Sequence, residues 1–177
     1  RQAAIVAEDH TGLAVLRRFE NGFHRMYIQG HSQSCLPVCT VHAFLGALGP
    51  LVHPSPKSVL VVGVGAGGTP YAAGVNPKTE TVRAVEIVAP VLTLIDRFAA
   101  ADGRFGMKRL RDDKRFDIVV GDGRHDLFLA GRSYDVIEAD AILPHTAFSG
   151  LLYSREYFEK VREHLAPGGI EIGRAHV

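Results

Sequence analysis

The sequence predicts an α/β protein with a parallel β-sheet covered by helices on both faces, preceded by a small antiparallel β domain. Strand and helix patterns alternate from residue 58 onward, which is typical of parallel sheets. Within residues 58–86, an apolar run leads into a glycine-rich loop, and the next strand ends at Glu86. Near the amino terminus, Asn21-Gly22 separates two short β-rich runs and indicates a hairpin.

Composition indicates an ordinary globular domain. The 177 residues are 46% hydrophobic and 22% charged with a net charge of +1, so we expect no nucleic-acid partner. We find no membrane-spanning run and no signal-peptide pattern, and we expect a soluble cytoplasmic domain. The two cysteines, Cys35 and Cys39, have no further ligands nearby, so we expect two ordinary thiols. The scattered histidines lack metal-ligand spacing, so we expect no metal site.

Three segments are predicted along the chain. Residues 1–37 form the β-hairpin domain, and residues 38–170 form the parallel-sheet domain. The last segment, 171–177, reads EIGRAHV, which is typical of a translated sequencing adapter. We therefore expect these seven residues to lie outside the fold, and the sheet to end after its fourth strand.

Local patterns predict the individual elements. Residues 38–51 have helical periodicity, and Pro54 and Pro56 end this helix. Pro90 suits the first turn of a later helix. Short strands of the β domain are expected over 3–8, 13–19 and 23–29. Core strands are expected over 58–63, 81–86, 116–120 and 134–139, and further helices over 68–74, 90–100, 124–130 and 155–165.

The glycine-rich loop after the first core strand is the strongest functional signal. Gly63, Gly65 and Gly67 permit a tight turn and let a ligand approach the backbone closely. Glu86 follows about twenty residues later at the end of the next strand, where it can bind the hydroxyl groups of a ribose. The alternative for Glu86 is a solvated acid. The order of these features predicts a pocket for an adenosine-containing small molecule.

Two more acids follow core strands and are expected at the same edge of the sheet. Asp122, which precedes Gly123, can accept a hydrogen bond from an adenine amine, or it can cap the next helix. Asp140 is placed to act as a general base, with a plain loop acid as the alternative. Glu138, two residues earlier, is expected to cap or pair locally.

Seven short strings occur in a specific order along the chain. They are HPSPKSVL at 53–60, GVGAGG at 63–68, VEI at 85–87, GDG at 121–123, YDVI at 134–137, LYSREYF at 152–158 and LAPGG at 165–169. With these strings, residues 12–169 resemble the spermidine synthase family, the polyamine aminopropyltransferases. The resemblance implies a Rossmann-like fold of the class I methyltransferase type behind an N-terminal β domain.

The resemblance also implies a function and roles for individual residues. The implied enzyme is a transferase that moves an aminopropyl group from decarboxylated S-adenosylmethionine to an amine such as putrescine, without a tightly bound cofactor. Glu86 would hold the donor's ribose, Asp122 would hold its adenine, and Gln33 would approach from the β domain. Asp140 matches the acid that helps to deprotonate the amine. His42 falls where the family has a tyrosine-histidine-glutamate signature.

The chain departs from the family at residues that recognise the amine. Ala66 and Leu143 stand where the family has acids, and Val41 and Ala43 replace the signature's tyrosine and acid. Because a buried ammonium needs carboxylate partners, the amine site is depleted while the adenosine site matches. This pattern resembles a divergent spermidine synthase-like branch, some of whose members are fused to membrane segments. Such a fusion upstream would tether the domain to a membrane.

Other hypotheses therefore stay open. The chain could be a methyltransferase-fold protein that uses S-adenosylmethionine with a different acceptor, or a catalytically impaired homologue. A nicotinamide oxidoreductase also fits, since Gly63, Gly65 and Gly68 match G-x-G-x-x-G, although Asp122 and the β domain argue against it. Whether the protein forms a homodimer is also open.

Overall fold

The computed structural model describes residues 4–19, 22–101, 107–140 and 149–173. The first four strands are β1 (Ala4–Asp9), β2 (Gly12–Arg18), β3 (His24–Ile28) and β4 (His31–Leu36). Next come α1 (Thr40–Val52), β5 (Ser58–Val62), α2 (Gly68–Ala73), β6 (Thr81–Glu86), α3 (Ala89–Ala101), α4 (Arg109–Asp112) and β7 (Phe116–Val120). The chain continues with α5 (Gly123–Leu129), β8 (Tyr134–Ala139), a 3₁₀ helix (Ser149–Tyr153), α6 (Arg155–His164) and β9 (Leu165–Gly173).

The amino-terminal strands form an antiparallel sheet in the order β1-β2-β3-β4. Side chains alternate across it, so that Ala14, Leu16 and Met26 are buried on one face and pack into a cluster with residues of α3 such as Leu94. The predicted β domain is therefore present, with one strand more than expected. The extra strand β4 reads HSQSCL, whose polar residues hide the usual β-strand signal.

The other strands form a parallel sheet in the order β7-β6-β5-β8-β9. All four predicted core strands are found within one residue of their expected bounds. The apolar residues of β5, β6 and β8 are buried on both faces, because α1 to α4 cover one side and α5 and α6 cover the other. Strand β7 lies at the edge of the sheet, and its residues are half-buried or exposed. The predicted fold class is confirmed, although the division of the chain at residue 37 stays a prediction.

The fifth strand of this sheet corrects the expectation for the end of the chain. Strand β9 pairs in parallel with β8, with Ile170 opposite Val136. Residues Glu171–Gly173 thus belong to the sheet, and placing them outside the fold was wrong. Ile170 and Ile172 supply enough apolar surface for a half-buried strand. The rest of the predicted adapter segment, 174–177, lies outside the described residues.

A disulfide between Cys35 and Cys39 is a second correction, because two ordinary thiols were expected. The chain turns back between β4 and α1, which brings the two Cα atoms within 5.3 Å of each other. The C-x3-C spacing gave no sign of this pairing, since it depends on the geometry of the turn. The bond connects the end of the antiparallel sheet to the start of α1.

Helix α1 lies against α2 and β8 at very short distance, and two of its glycines make this possible. A Cβ atom at Gly46 would come within 2.1 Å of the backbone oxygen of Thr69 in α2. A Cβ atom at Gly49 would come within 2.4 Å of Val136 in β8. Only glycine at these two positions permits such a close approach of α1 to α2 and β8. Across the described ranges, no helix combines the length and apolar character needed to cross a membrane.

Candidate active site

Glu86 organises the glycine-rich loop. One carboxylate oxygen, Oε2, accepts hydrogen bonds from the backbone N–H groups of Val64 at 3.0 Å and Gly65 at 3.1 Å. The other oxygen, Oε1, accepts from the backbone N–H of Val88 at 3.0 Å. Burial raises the pKa of Glu86, while these backbone donors oppose the rise. Glu86 is therefore a buried acid bound to the loop, and the alternative of a solvated strand-end acid is wrong.

The loop itself takes a conformation that favours glycine. Gly65 has a φ of 54° and Gly67 a φ of 84°, both in the left-handed region. A side chain at Gly67 would also meet Leu110 of α4, since a Cβ atom would lie 2.7 Å from its Cδ1. The loop thus turns sharply from β5 into α2, as the sequence predicts.

Strand β4 contacts the loop from the antiparallel sheet. The Ser34 hydroxyl oxygen accepts a hydrogen bond from the backbone N–H of Ala66 at 2.8 Å. Sequence reasoning missed Ser34, because a serine in a polar run carries no distinctive signal. The neighbouring Gln33, predicted to approach the donor, places its backbone oxygen 3.2 Å from His42 Nε2. The predicted role of the Gln33 side chain stays a prediction.

Asp140 lies at the carboxyl end of β8, where it contacts side chains from α1 and α2. Its Oδ2 atom accepts a hydrogen bond from the Thr69 hydroxyl at 2.6 Å and lies 2.6 Å from His42 Nδ1. The Asp140 and His42 side chains are only 8% and 12% exposed. The candidate base thus lies in a nearly enclosed polar cluster beside the glycine-rich loop.

The His42 ring lies between strand β4 and Asp140. Its Nδ1 lies 2.6 Å from the Asp140 carboxylate, and its Nε2 lies 3.2 Å from the backbone oxygen of Gln33. His42 therefore connects the antiparallel sheet to the candidate base. Sequence reasoning noted His42 only by its place in a signature, and it missed Thr69, which directly follows the glycine-rich string.

Asp122 caps helix α5. Its side chain accepts a hydrogen bond from the Arg124 backbone N–H at 2.8 Å and pairs with the Arg124 guanidinium at 2.8 Å. These bonds lower the pKa of Asp122, so the side chain is a carboxylate. A Cβ atom at Gly123 would lie 2.5 Å from Val62 Cγ1, so α5 approaches β5 closely. The cap is observed, while the adenine role of Asp122 and Gly123 stays a prediction.

The environment of Glu138 is not the one that the sequence predicts. It is fully buried, and neither carboxyl oxygen has a hydrogen-bond partner among the described residues. Local capping or pairing was therefore the wrong expectation, because β8 is a central strand whose side chains face packed helices. Burial, together with the charge of Asp140, raises the pKa of Glu138 well above its usual range.

Ala66 and Leu143 stand where the family resemblance implies acids. Ala66 is buried within the glycine-rich loop, so a methyl group occupies the position of the first of these acids. Leu143 lies outside the described residues. In the parts of the chain that the structure covers, no group of three or more His, Cys, Asp or Glu side chains is arranged to hold a metal ion.

The fold and this cluster define a methyltransferase-like α/β protein with a β domain in front. A family model described as the spermine/spermidine synthase domain matches residues 38–176. The chain therefore belongs to the spermine/spermidine synthase family, as its resemblance predicted.

Individual relatives agree with this assignment. The chain is 32% identical over 126 residues to a polyamine aminopropyltransferase of Pyrococcus abyssi, covering 71% of this chain and 44% of the relative. It is 36% identical over 118 residues to a spermidine synthase of Dictyostelium discoideum, covering 67% and 39%. A crystal structure of spermidine synthase in complex with the transition-state analogue AdoDATO shares the fold, with a TM-score of 0.79 and 20% identity over 91% of this chain and 54% of that one. The chain spans less than half the length of these curated relatives.

Proposed function

We propose that this chain binds decarboxylated S-adenosylmethionine and transfers its aminopropyl group to a small-molecule amine such as putrescine. The observation that carries the proposal is the position of Asp140, whose carboxylate contacts His42 and Thr69 beside the glycine-rich loop. Membership of the family, and relatives named polyamine aminopropyltransferase and spermidine synthase, support it.

The donor would lie over the glycine-rich loop. Glu86 accepts three backbone hydrogen bonds, and a carboxylate has about four acceptor positions, so it can accept one more from a ribose hydroxyl. Asp122 and Gly123 would face the adenine, and Gln33 would approach from β4. That a spermidine synthase of the same fold is in complex with AdoDATO supports the binding of a reaction-related ligand by this fold.

The reaction needs an amine that has lost its proton. A primary amine has a pKa near about 10 and arrives protonated at neutral pH. Asp140 would accept that proton or orient the amine as the proton leaves. The amine nitrogen then attacks the carbon attached to the sulfonium sulfur, the carbon–sulfur bond breaks, and methylthioadenosine leaves with the electron pair. His42 would act as a positioning residue that holds the Asp140 side chain in place.

The other hypotheses predict different ligands. A methyltransferase would bind complete S-adenosylmethionine, and an oxidoreductase would bind a nicotinamide dinucleotide. The family assignment favours neither of them. No tightly bound cofactor is part of the proposal, and a homodimer stays a hypothesis.

Calorimetry tests the donor site. We expect methylthioadenosine and decarboxylated S-adenosylmethionine to bind, and Glu86→Gln to weaken binding about tenfold or more, since an amide cannot accept hydrogen bonds at both ends. Glu80→Gln is the matched control, because Glu80 is 64% exposed and pairs only with Lys57 among the described contacts. Heat with S-adenosylmethionine and none with the decarboxylated donor would favour the methyltransferase hypothesis. Absence of heat with any of these compounds would contradict the adenosine site.

A further inference from the structure

The Cys35–Cys39 disulfide lies between the two halves of the candidate active site. Cys35 is in β4 and directly follows Ser34, whose hydroxyl binds the glycine-rich loop at Ala66. Cys39 is the N-cap residue of α1, three positions before His42. The bond therefore joins the strand that contacts the loop to the helix that carries the partner of Asp140.

The first turn of α1 has no polar cap. The N-cap residue Cys39 makes no side-chain capping hydrogen bond, and the first turn contains no acidic residue. Its backbone oxygen accepts from the Ala43 N–H at 3.0 Å, as in an ordinary first turn. With no polar cap, the covalent link to β4 restrains this end of the helix in addition to the contacts of His42.

A second contact joins the same two elements, β4 and α1. The backbone oxygen of Gln33, two residues before Cys35, lies 3.2 Å from His42 Nε2. On its other side the His42 ring contacts Asp140, and the His42 backbone oxygen lies 3.3 Å from the hydroxyl oxygen of Thr69. Any change in the distance between β4 and the first turn of α1 is therefore transmitted to the Asp140 cluster.

We propose that Cys35 and Cys39 form a redox-active pair whose oxidation state controls the order of this site. Both residues are half-buried rather than enclosed in the core, and we expect a dithiol reductant to reach the bond between them. A thiolate of the reductant attacks one sulfur, the Cys35–Cys39 bond breaks, and a second attack releases the reductant as its own disulfide. The protein gains two thiols and two electrons, and an oxidant of the disulfide class reverses the step.

Reduction removes the covalent link between β4 and α1. The hydrogen bonds of Ser34 and His42 then depend on side-chain packing alone. The first turn of α1 then opens more often, and His42 and Ser34 lose their fixed spacing. Ligand affinity at the site falls because the competent arrangement is populated for less of the time. This consequence for affinity rests on the proposed donor site, whereas the change in local order does not.

The experiment compares oxidised and reduced wild-type protein. Hydrogen exchange is followed over residues 31–52, and the Kd of methylthioadenosine is measured in the same samples with and without tris(2-carboxyethyl)phosphine. The variant Cys35→Ser/Cys39→Ser is the control that cannot form the bond, and the wild-type comparison needs no mutation. Thiol counting by mass spectrometry after alkylation gives the oxidation state of each sample.

We expect reduction to speed exchange in the first turn of α1 and to raise the Kd about fivefold or more. The double-serine variant should have the exchange rates and the Kd of the reduced wild type, and the reductant should change neither. Equal exchange and equal Kd in both states would overturn the proposal, as would two free thiols in protein equilibrated with an oxidised disulfide reagent. Faster exchange on reduction without methylthioadenosine binding in either state would support the redox pair and contradict the proposed donor site.

Discussion

At the scale of single residues, the candidate site depends on how each acid is partnered. Glu86 binds three backbone N–H groups, Asp122 caps a helix, and Asp140 contacts a histidine and a threonine. The carboxyl oxygens of Glu138 have no hydrogen-bond partner in the described part of the chain. These four acids occur in similar sequence contexts, each at or near the end of a core strand, yet the fold gives each of them different surroundings.

Glu138 leads to a prediction for stability against pH. Its pKa in the folded protein is raised above its unfolded value, so it favours folding at low pH, and this contribution is lost as pH rises from about 4.5 through the folded pKa. Chemical denaturation of wild type and Glu138→Gln at several pH values measures the effect. We expect the stability difference to shift in favour of the glutamine variant as pH increases.

A second variant separates charge from the missing hydrogen bonds. Glu138→Met has a similar length and no polar atoms, so it should raise the free energy of unfolding by about 1–3 kcal/mol at neutral pH. A pH-independent difference between wild type and Glu138→Gln would show that Glu138 has the same pKa in the folded and the unfolded protein, and it would contradict the raised pKa.

At the scale of elements, the close approach of α1 to α2 positions the Asp140 cluster. We predict that Gly46→Ala displaces α1, since the new Cβ atom would meet the backbone oxygen of Thr69 at 2.1 Å. Overpacking of this kind costs about 1–3 kcal/mol, measured by denaturation. The variant should also weaken methylthioadenosine binding, because His42 and Thr69 move apart. Gly131→Ala is the matched control, since nothing lies within 4 Å of a Cβ atom there. Equal losses of stability and of methylthioadenosine affinity in the two variants would contradict this account of α1.

The elements also show what the sequence can and cannot predict. Apolar runs such as 58–62 identify core strands almost to the residue, because a buried parallel strand needs an unbroken apolar stretch. Strands β4 and β9 were missed, since polar and glycine-containing segments form strands only when a neighbouring strand supplies the pairing. The short helix α4 was also missed, because four residues are too few to show helical periodicity.

At the scale of the whole molecule, the candidate site joins segments that are far apart in sequence. Asp140 meets His42 across 98 positions and Thr69 across 71, and β4 adds Ser34 from the antiparallel sheet. The loop, Glu86 and Asp140 could be predicted because each follows a recognisable strand. Thr69, Ser34 and the disulfide could not, since their roles arise only when the antiparallel sheet and α1 fold over the parallel sheet.

The central claim is that this assembly catalyses aminopropyl transfer with Asp140 as the group that takes or orients the proton of the amine. The direct measurement is mass spectrometry of the products formed from decarboxylated S-adenosylmethionine and putrescine. Asp140→Asn should lower kcat about 10²-fold or more, while the Kd for methylthioadenosine stays unchanged. Asp117→Asn is the control, since Asp117 is a 60% exposed acid near the opposite end of its strand. We predict that the wild type forms spermidine and methylthioadenosine in equal amounts and that Asp140→Asn forms little of either. Wild-type protein that forms no spermidine, or an Asp140→Asn variant as active as the wild type, would contradict the account.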